Sequence, residues 1–171
     1  MSAGVITAVG IDVSKYKSTV AARRPGGEVA LLPFDVSHDV AGIKKLLERL
    51  HSLEAEDGEI RVIMEHTGMY WRPVALALQQ AGFFVSVVNA ILIHNFSDNS
   101  LRKMKTDKAD ALKIANYGLT FWMDLREYST EDETRQMLKI QSRLYERTTT
   151  TGTMLRNGLI SLLGQTFPGA N

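Results

Sequence analysis

An apolar run that ends on an acid, close to the start of the chain, constrains the fold more than any other feature. It reads Val-Gly-Ile-Asp-Val-Ser-Lys over residues 9–15. Such a run predicts a buried strand that carries Asp12 out of the core at its edge. Because buried charged groups are usually paired or bound to a metal, this position indicates a metal-binding carboxylate. The alternative is that Asp12 simply begins a turn, since aspartate is a common turn former.

Length and composition favour one globular domain with at most an appendage. The chain has 171 residues, of which 44% are hydrophobic, which is enough for a sizeable core. It has no cysteine, which excludes a disulfide framework and a thiolate zinc site and fits a reducing compartment. No apolar run approaches the ~20 residues that span a bilayer, and the N-terminus does not read as a signal peptide. We therefore expect a cytoplasmic protein that does not bind a membrane.

The order of the predicted elements indicates an α/β fold. A meander of three short strands is followed by a helix, a strand, a second helix and a strand. This alternation implies parallel neighbours, and thus a mixed five-stranded sheet with flanking helices. Ser37 or Asp39 is expected to cap the first helix. The predicted strands span 7–11, 18–22, 29–32, 60–64 and 83–88, and the predicted helices that flank them span 40–53 and 71–81.

Four acids follow these elements in an order that suits metal binding. Asp12 and Glu65 end the first and fourth predicted strands. Asp107 and Asp110 lie three positions apart, and so on one face, in a helix predicted over 106–119. Carboxylates on rigid elements hold hard cations through oxygen, and two metal ions ~3.5–4 Å apart can flank a phosphodiester. The alternative for the last two acids is a solvated first turn that the helix dipole favours.

Three motifs carry a resemblance to a known family. They read Gly-Ile-Asp-Val-Ser-Lys at 10–15, Glu-His-Thr-Gly-Met-Tyr at 65–70 and Lys-Thr-Asp-Lys-Ala-Asp-Ala at 105–111. In this order they resemble the motifs of the bridge-RNA-guided insertion-sequence transposases and the related pilin-gene DNA invertases. The resemblance covers nearly the whole chain.

The resemblance implies a Holliday-resolvase-like domain of the RNase H fold, followed by a coiled-coil segment. It implies that the four acids form the family's acidic tetrad, which binds Mg²⁺ or Mn²⁺ and serves RNA-guided cleavage and transfer of DNA strands. All four match without substitution: Asp12, Glu65, Asp107 and Asp110. The family's C-terminal domain, which carries a serine nucleophile, has no counterpart in the sequence. We therefore expect the chain to be an N-terminal fragment.

The last part of the chain predicts a helical extension. We expect the RNase H-like domain over 1–125 and the extension over 126–171. A capping-box pattern, Thr130-x-x-Glu133, opens a helix. Threonines and a glycine at 148–152 weaken helix propensity and predict a kink or break there. The apolar faces of the extension predict pairing with a partner helix, in a homodimer or higher homo-oligomer, or with each other as a helical hairpin.

Basic side chains mark two predicted nucleic-acid contacts. One lies beside the acids and in residues 89–106, where we expect a mobile basic loop or a short helix. The other is a ridge along the last helix, where basic residues recur every four positions beside an apolar stripe formed by Met137, Ile140 and Leu144. The alternative for the ridge is an ordinary solvated helix face. The candidates for contacts with DNA or guide-RNA phosphates are Lys15, Arg102, Lys103, Lys105, Lys108, Arg135, Lys139, Arg143 and Arg147.

Three classes of function follow from these features. The first is a Mg²⁺-dependent DNA transposase or recombinase domain. The second is a nucleic-acid-binding and dimerisation module whose chemistry needs the absent serine domain. The third is a sugar kinase or ATPase of the actin-like type, whose sheet also begins with a strand ending on aspartate. That class needs glycine-rich phosphate loops, which neither Gly26-Gly27 nor Gly68 supplies.

Overall fold

A computed structural model of the chain describes residues 6–66, 68–96, 106–167 and 169. The chain divides into two compact units, the first ending at Tyr128 and the second beginning at Ser129. The first unit thus includes residues 126–128, which the sequence assigned to the extension. The reason is that Tyr128 donates its backbone N–H to the carbonyl oxygen of Val85 (2.7 Å) and packs its ring edge-on against Trp71.

A mixed five-stranded sheet forms the centre of the first unit. Its strands are β1 (Thr7–Val13), β2 (Lys17–Arg23), β3 (Val29–Ser37), β4 (Ile60–His66) and β5 (Phe84–Asn89). They lie in the order β3-β2-β1-β4-β5. The pairs β1–β2 and β2–β3 are antiparallel, whereas β1–β4 and β4–β5 are parallel. The predicted α/β fold, with a mixed five-stranded sheet and flanking helices, is confirmed.

The described α-helices begin close to the predicted positions. They are α1 (Val40–Asp57), α2 (Trp71–Gln80), α3 (Ala90–Phe96), α4 (Asp107–Thr120) and α5 (Thr130–Thr166). Asp39 rather than Ser37 caps α1, because its side chain accepts the backbone N–H of Gly42 (2.6 Å). Thr106 caps α4 as predicted, by accepting the N–H of Ala109 (3.2 Å). The short helix α3 starts the segment in which a loop or short helix was expected.

The two faces of the sheet are covered by different helices. Successive side chains of a strand point to opposite faces. From Val9 to Val13, the odd-numbered residues of β1 belong to the core under α1 and α2. Ala8 belongs to a second core, which contains Ile114 of α4. By the same alternation, Asp12 lies on the face that α4 covers.

Glycines allow α4 to pack closely on the sheet. A Cβ atom at Gly10 of β1 would collide with backbone atoms of Ala111 and Ala115. A Cβ atom at Gly118 would collide in the same way with the Ile63 side chain of β4. Since glycine has no side chain, the helix backbone can lie directly against the strand. This close approach fixes the position of α4 along β1.

The helix α5 is continuous over 37 residues, so the kink predicted at 148–152 is wrong, and so is the hairpin. The hydroxyls of Thr148, Thr149 and Thr153 donate to the carbonyl oxygens four residues earlier at 2.8, 2.9 and 3.0 Å. The threonine side chains are thereby satisfied within the helix. Helix propensity is a weak preference for each residue, and here it does not interrupt the backbone hydrogen bonding.

Nearly all described side chains of α5 are exposed, with Met137 partly buried. The exposed residues include large apolar ones such as Leu144, Tyr145 and Leu155. The side chains of the predicted capping box, Thr130 and Glu133, lie outside the described set. No helix in the described ranges combines the length and apolar character needed to cross a bilayer.

Candidate active site

The four predicted acids line one cleft in the first unit, with a volume of about 570 Å³. Asp12, Glu65 and Asp110 are half-buried, and Asp107 is exposed. The structure therefore brings together side chains that lie as many as 98 positions apart, from Asp12 to Asp110. The other residues that line the cleft are Ala90, Ile91, His94, Asn95 and Lys113.

The parallel pairing of β1 and β4 accounts for the meeting of Asp12 and Glu65. The register of these strands pairs Ile11 with Met64, so the two acids follow at the same level on neighbouring strands. Ile63 belongs to the core on the α4 face, and alternation puts Glu65 on that face as well. Because parallel strands end at the same edge, both carboxylates emerge there.

The first turn of α4 supplies the other two acids. Asp107 and Asp110 are its first-turn acids, directly after the capping Thr106. The partial positive charge at the helix N-terminus stabilises carboxylates at these positions. The close packing of α4 on Gly10 directs this turn towards the edge where β1 ends. Electrostatics and packing thus both favour acids here.

Lys17, for which the sequence predicts no role, contacts one of the acids. Its Nζ atom lies 2.9 Å from Asp35 Oδ2 and 3.4 Å from Asp107 Oδ2. The hydrogen bond to Asp35 is the main reason why the pKa of Lys17 is raised. Hydrogen bonds from Lys17 and then from Thr19 lower the pKa of Asp35. The β1–β2 register pairs Thr19 with Asp12, which indicates how close this network lies to the first acid.

Three polar residues of the cleft were also missed: His94 and Asn95 of α3, and Lys113 of α4. Lys113 follows Asp110 by three positions, a spacing that places both on one face of the helix. That spacing is visible in the sequence and is the signal that predicts a place for Lys113 beside the acids. No comparable signal exists for α3, because its position depends on the pairing of β5 with β4.

The donor chemistry of the cleft suits a hard divalent cation, because carboxylate oxygens are the ligands that Mg²⁺ and Mn²⁺ prefer. The arrangement is open, however. Within the described ranges, no group of three or more histidine, aspartate or glutamate side chains is close enough to hold a metal ion. The four carboxylates thus fit such a cation by type and location, without forming a closed set of ligands.

The predicted nucleic-acid contacts are spread over both units. Lys15 and Lys108 are exposed near the cleft acids in sequence, and Lys15 lies 4.9 Å from the ring centre of Tyr16. The α5 candidates are exposed too: Arg135, Lys139, Arg143 and Arg147. Three candidates lie outside the described residues: Arg102, Lys103 and Lys105.

Curated relatives match a short part of the chain. The chain is 37% identical over 59 residues to the pilin gene-inverting proteins of Moraxella lacunata and Moraxella bovis. The matched stretch is 34% of this chain, and the chain spans 18% of the length of these relatives.

Two solved structures of RuvC from Thermus thermophilus are similar at low sequence identity. The one in complex with a Holliday junction substrate has a TM-score of 0.46 and 13% identity, and covers 69% of this chain and 95% of that one. The second has a TM-score of 0.42 and 14% identity, and covers 67% and 94%.

A family model has the broadest match to the sequence. The model describes a transposase of the DEDD, IS110 type, and it matches residues 9–168, nearly the whole chain. The match includes all four cleft acids and the full length of α5. The resemblance of the three sequence motifs to an insertion-sequence transposase family is thus confirmed, and the chain belongs to the IS110 family of DEDD transposases.

Proposed function

We propose that this chain is a domain that cleaves and transfers DNA strands with the help of Mg²⁺ or Mn²⁺. The observation that carries the proposal is the convergence of Asp12, Glu65, Asp107 and Asp110 on one cleft. Membership of a transposase family supports a DNA substrate. The name of the pilin gene-inverting relatives also supports it, since inversion of a gene rearranges DNA.

In this proposal the carboxylates of Asp12 and Glu65 hold the cation from the sheet, and those of Asp107 and Asp110 hold it from α4. The chemistry that a bound divalent cation would supply here is polarisation of the phosphodiester and activation of the attacking oxygen. The chain's own contribution is to fix the acids on rigid elements at one edge. To share one cation, the four carboxylates would have to lie closer together than they do in the structure.

Lysine and arginine side chains of the chain are proposed to contact the phosphates of the DNA backbone. Lys113 lines the cleft together with the acids, where its ammonium group can contact a phosphate that approaches the metal. Lys15 and Lys108 are exposed, and each lies within three positions of a cleft acid in the sequence. The same role is proposed for Arg102, Lys103 and Lys105. Neutralisation of phosphates by lysine and arginine supplies most sequence-independent affinity for DNA.

The helix α5 is proposed to pair with α5 of a second copy, which gives a homodimer or a higher homo-oligomer. Its exposed leucines, isoleucines and Tyr145 would lose contact with water in such a pair. The basic residues of α5 would remain available for phosphates of DNA or of a guide RNA. RNA guidance itself comes from the family resemblance, and the exposed basic ridge is the feature that supports it.

A second candidate is a nucleic-acid-binding and dimerisation module. The openness of the acid cluster favours it, because no three of the described acids or histidines form a metal-ligating group. In this candidate the acids position metal and backbone, and a serine nucleophile outside the cleft carries the chemistry. The two candidates differ in whether the chain alone breaks a phosphodiester bond.

The test combines calorimetry with a cleavage assay on duplex and branched DNA. We expect wild-type chain to bind Mg²⁺, and Asp12→Asn or Glu65→Gln to abolish or strongly weaken that binding. Glu48→Gln is the matched control, because Glu48 is exposed on α1, which packs on the opposite face of the sheet. Cleavage that needs Mg²⁺ and is lost in Glu65→Gln supports the first candidate. Metal binding without cleavage supports the second, and equal binding by wild type and Asp12→Asn contradicts the metal site.

A further inference from the structure

Lys17 is the first residue of β2, and its side chain contacts both Asp107 in the acidic cleft and Asp35 in the edge strand β3. Its Nζ atom is 2.9 Å from Asp35 Oδ2 in β3 and 3.4 Å from Asp107 Oδ2 in α4. The ammonium group therefore bridges two carboxylates that come from different elements. One of those carboxylates, Asp107, lines the cleft, and the other does not.

Asp35 is held firmly on its own side of the bridge. Its second carboxylate oxygen accepts a hydrogen bond from the hydroxyl of Thr19 at 2.8 Å. Thr19 is almost fully buried in β2, and the register pairs it with Asp35 across the strands. Because Thr19 and Asp35 are fixed by the sheet, the shorter contact of Lys17 is the anchored one. The longer contact to Asp107 is the one that can open.

We propose that Lys17 is a positioning residue: anchored by Asp35, it keeps the Asp107 carboxylate at the rim of the acidic cleft and competes with a divalent cation for it. The proposal rests on the proposed function, since it assumes that the cleft takes a cation. Nothing in the family match assigns a role to Lys17.

Elementary electrostatics gives the direction of the effect. A carboxylate that pairs with an ammonium group must give up part of that attraction when it turns to a metal ion. The ion pair therefore lowers the affinity of the cleft for the cation, and its removal raises that affinity. The Lys17 and Asp107 side chains are both about half-exposed, at 45% and 55%. Exposed pairs contribute little, so the gain in affinity should be about two- to fivefold.

The test is calorimetric titration of the whole chain with MgCl₂. Lys17→Met should bind Mg²⁺ about two- to fivefold more tightly than wild type, because methionine keeps the apolar part of the side chain and removes the charge. Lys17→Arg, which keeps a cation, should restore an affinity close to that of wild type. Lys44→Met is the matched control, since it removes the same charge and an exposed ion pair, with Glu48, from the helix on the opposite face of the sheet.

The Lys17→Met substitution in an Asp107→Asn variant separates the effect of the Lys17–Asp107 ion pair on Mg²⁺ affinity from the long-range effect of the Lys17 charge. In Asp107→Asn, the Lys17→Met change should give no further gain, because the competing contact is already lost. If Lys17→Met raised the Mg²⁺ affinity by the full amount in the Asp107→Asn background, the proposal would be overturned. The charge of Lys17 would then act on the cation at long range and not through its contact with Asp107. Unchanged Mg²⁺ affinity in Lys17→Met would overturn it as well, whereas a wild-type chain that binds no Mg²⁺ would contradict the proposed function.

A measurement without metal decides whether the pair positions Asp107 at all. Urea unfolding in the absence of divalent cations should show non-additive midpoints for Lys17→Met and Asp107→Asn, because each change removes the same contact. Additive midpoints would overturn the positioning role, whatever the titrations show.

Discussion

The Cα atom of Gly10 in β1 lies so close to the backbone of α4 that a methyl group at residue 10 would overlap the carbonyl oxygen of Ala111. The obstacle is backbone, which cannot rotate away as a side chain does. This contact holds the first turn of α4, with its two acids, beside the strand that carries Asp12. Gly10, the first residue of the motif at 10–15, therefore positions two acids of the cleft by allowing α4 to pack closely on β1.

Gly10→Ala should destabilise the first unit and displace α4. Forcing extra atoms into a packed contact costs typically about 1–3 kcal/mol, and we expect a loss of that size in the free energy of unfolding in urea. Mg²⁺ binding should weaken as well, because two of the four acids move with the helix. Gly158→Ala is the control, since a Cβ atom there meets nothing within 4 Å. Equal stability of Gly10→Ala and wild type would contradict the close packing.

The buried carboxylate of Asp57, at the end of α1, should make stability depend on acid pH. It accepts hydrogen bonds from Arg24 at 2.8 and 3.0 Å and from the Thr7 hydroxyl at 2.6 Å. The Arg24 hydrogen bond is the main cause that lowers the pKa of Asp57. Asp57→Asn should therefore reduce the free energy of unfolding at pH 7 by about 1–3 kcal/mol, the usual cost of a lost charged hydrogen bond.

The sign of the pH effect follows from the lowered pKa. The stabilisation by Asp57 is fully present above the unfolded-state pKa of about 3.9 and is lost as the pH falls through the lower folded-state value. The difference between wild type and Asp57→Asn should thus be constant near neutrality and shrink below about pH 4. Urea unfolding of both proteins from pH 7 to pH 2.5 measures it. A difference that grows on acidification would contradict this assignment.

Local chemistry in the sequence was enough to predict the acid positions. A strand that ends on Asp12 and another that ends on Glu65 are visible as apolar runs, and Thr106 is visible as a cap. Asp12 and Glu65 meet because neighbouring parallel strands end at the same edge of a sheet, and the alternation of strands and helices in the sequence predicts parallel strands. The family resemblance pointed to the same four acids.

Features that depend on long-range register could not be predicted in this way. The contact of Lys17 with Asp107 joins β2 to α4, and its contact with Asp35 depends on the β2–β3 register, which no local pattern encodes. The break expected at 148–152 was wrong for a different reason. Threonine lowers helix propensity only slightly, and its hydroxyl finds an acceptor on the helix backbone itself, so no polar group is left without a partner by continuing the helix.

Substitutions on the apolar side of α5 should change the oligomeric state. Leu155 and Leu159 are four positions apart and exposed, so they lie on one side of the helix. Changing both to glutamate should convert a dimer or higher oligomer to monomer, because two buried charges per helix are costly. Analytical ultracentrifugation measures the mass. Thr153→Glu with Asn157→Glu is the matched control, since each lies about 200° around the helix from the leucine two positions later. Monomeric wild-type protein would contradict α5 pairing.

The basic residues of α5 should contribute to the salt dependence of RNA binding. Arg135, Lys139 and Arg143 are exposed and recur every four positions along the continuous helix. Successive members are therefore displaced by about 40° and form a slowly winding ridge. Each phosphate contact releases a condensed counterion, so the logarithm of the binding constant falls with the logarithm of the salt concentration.

A double variant, Arg135→Gln with Arg143→Gln, should reduce the slope of that line by about one to two units. Binding of a structured RNA is measured by fluorescence anisotropy between about 50 and 200 mM salt, the range in which phosphate contacts strongly change affinity. Lys44→Gln with Lys45→Gln removes the same charge from the exposed side of α1 and should leave the slope unchanged. If both double variants reduced the slope equally, the effect would reflect net charge, and the ridge would not be a phosphate contact. A reduction confined to the α5 variant assigns the contact to that helix.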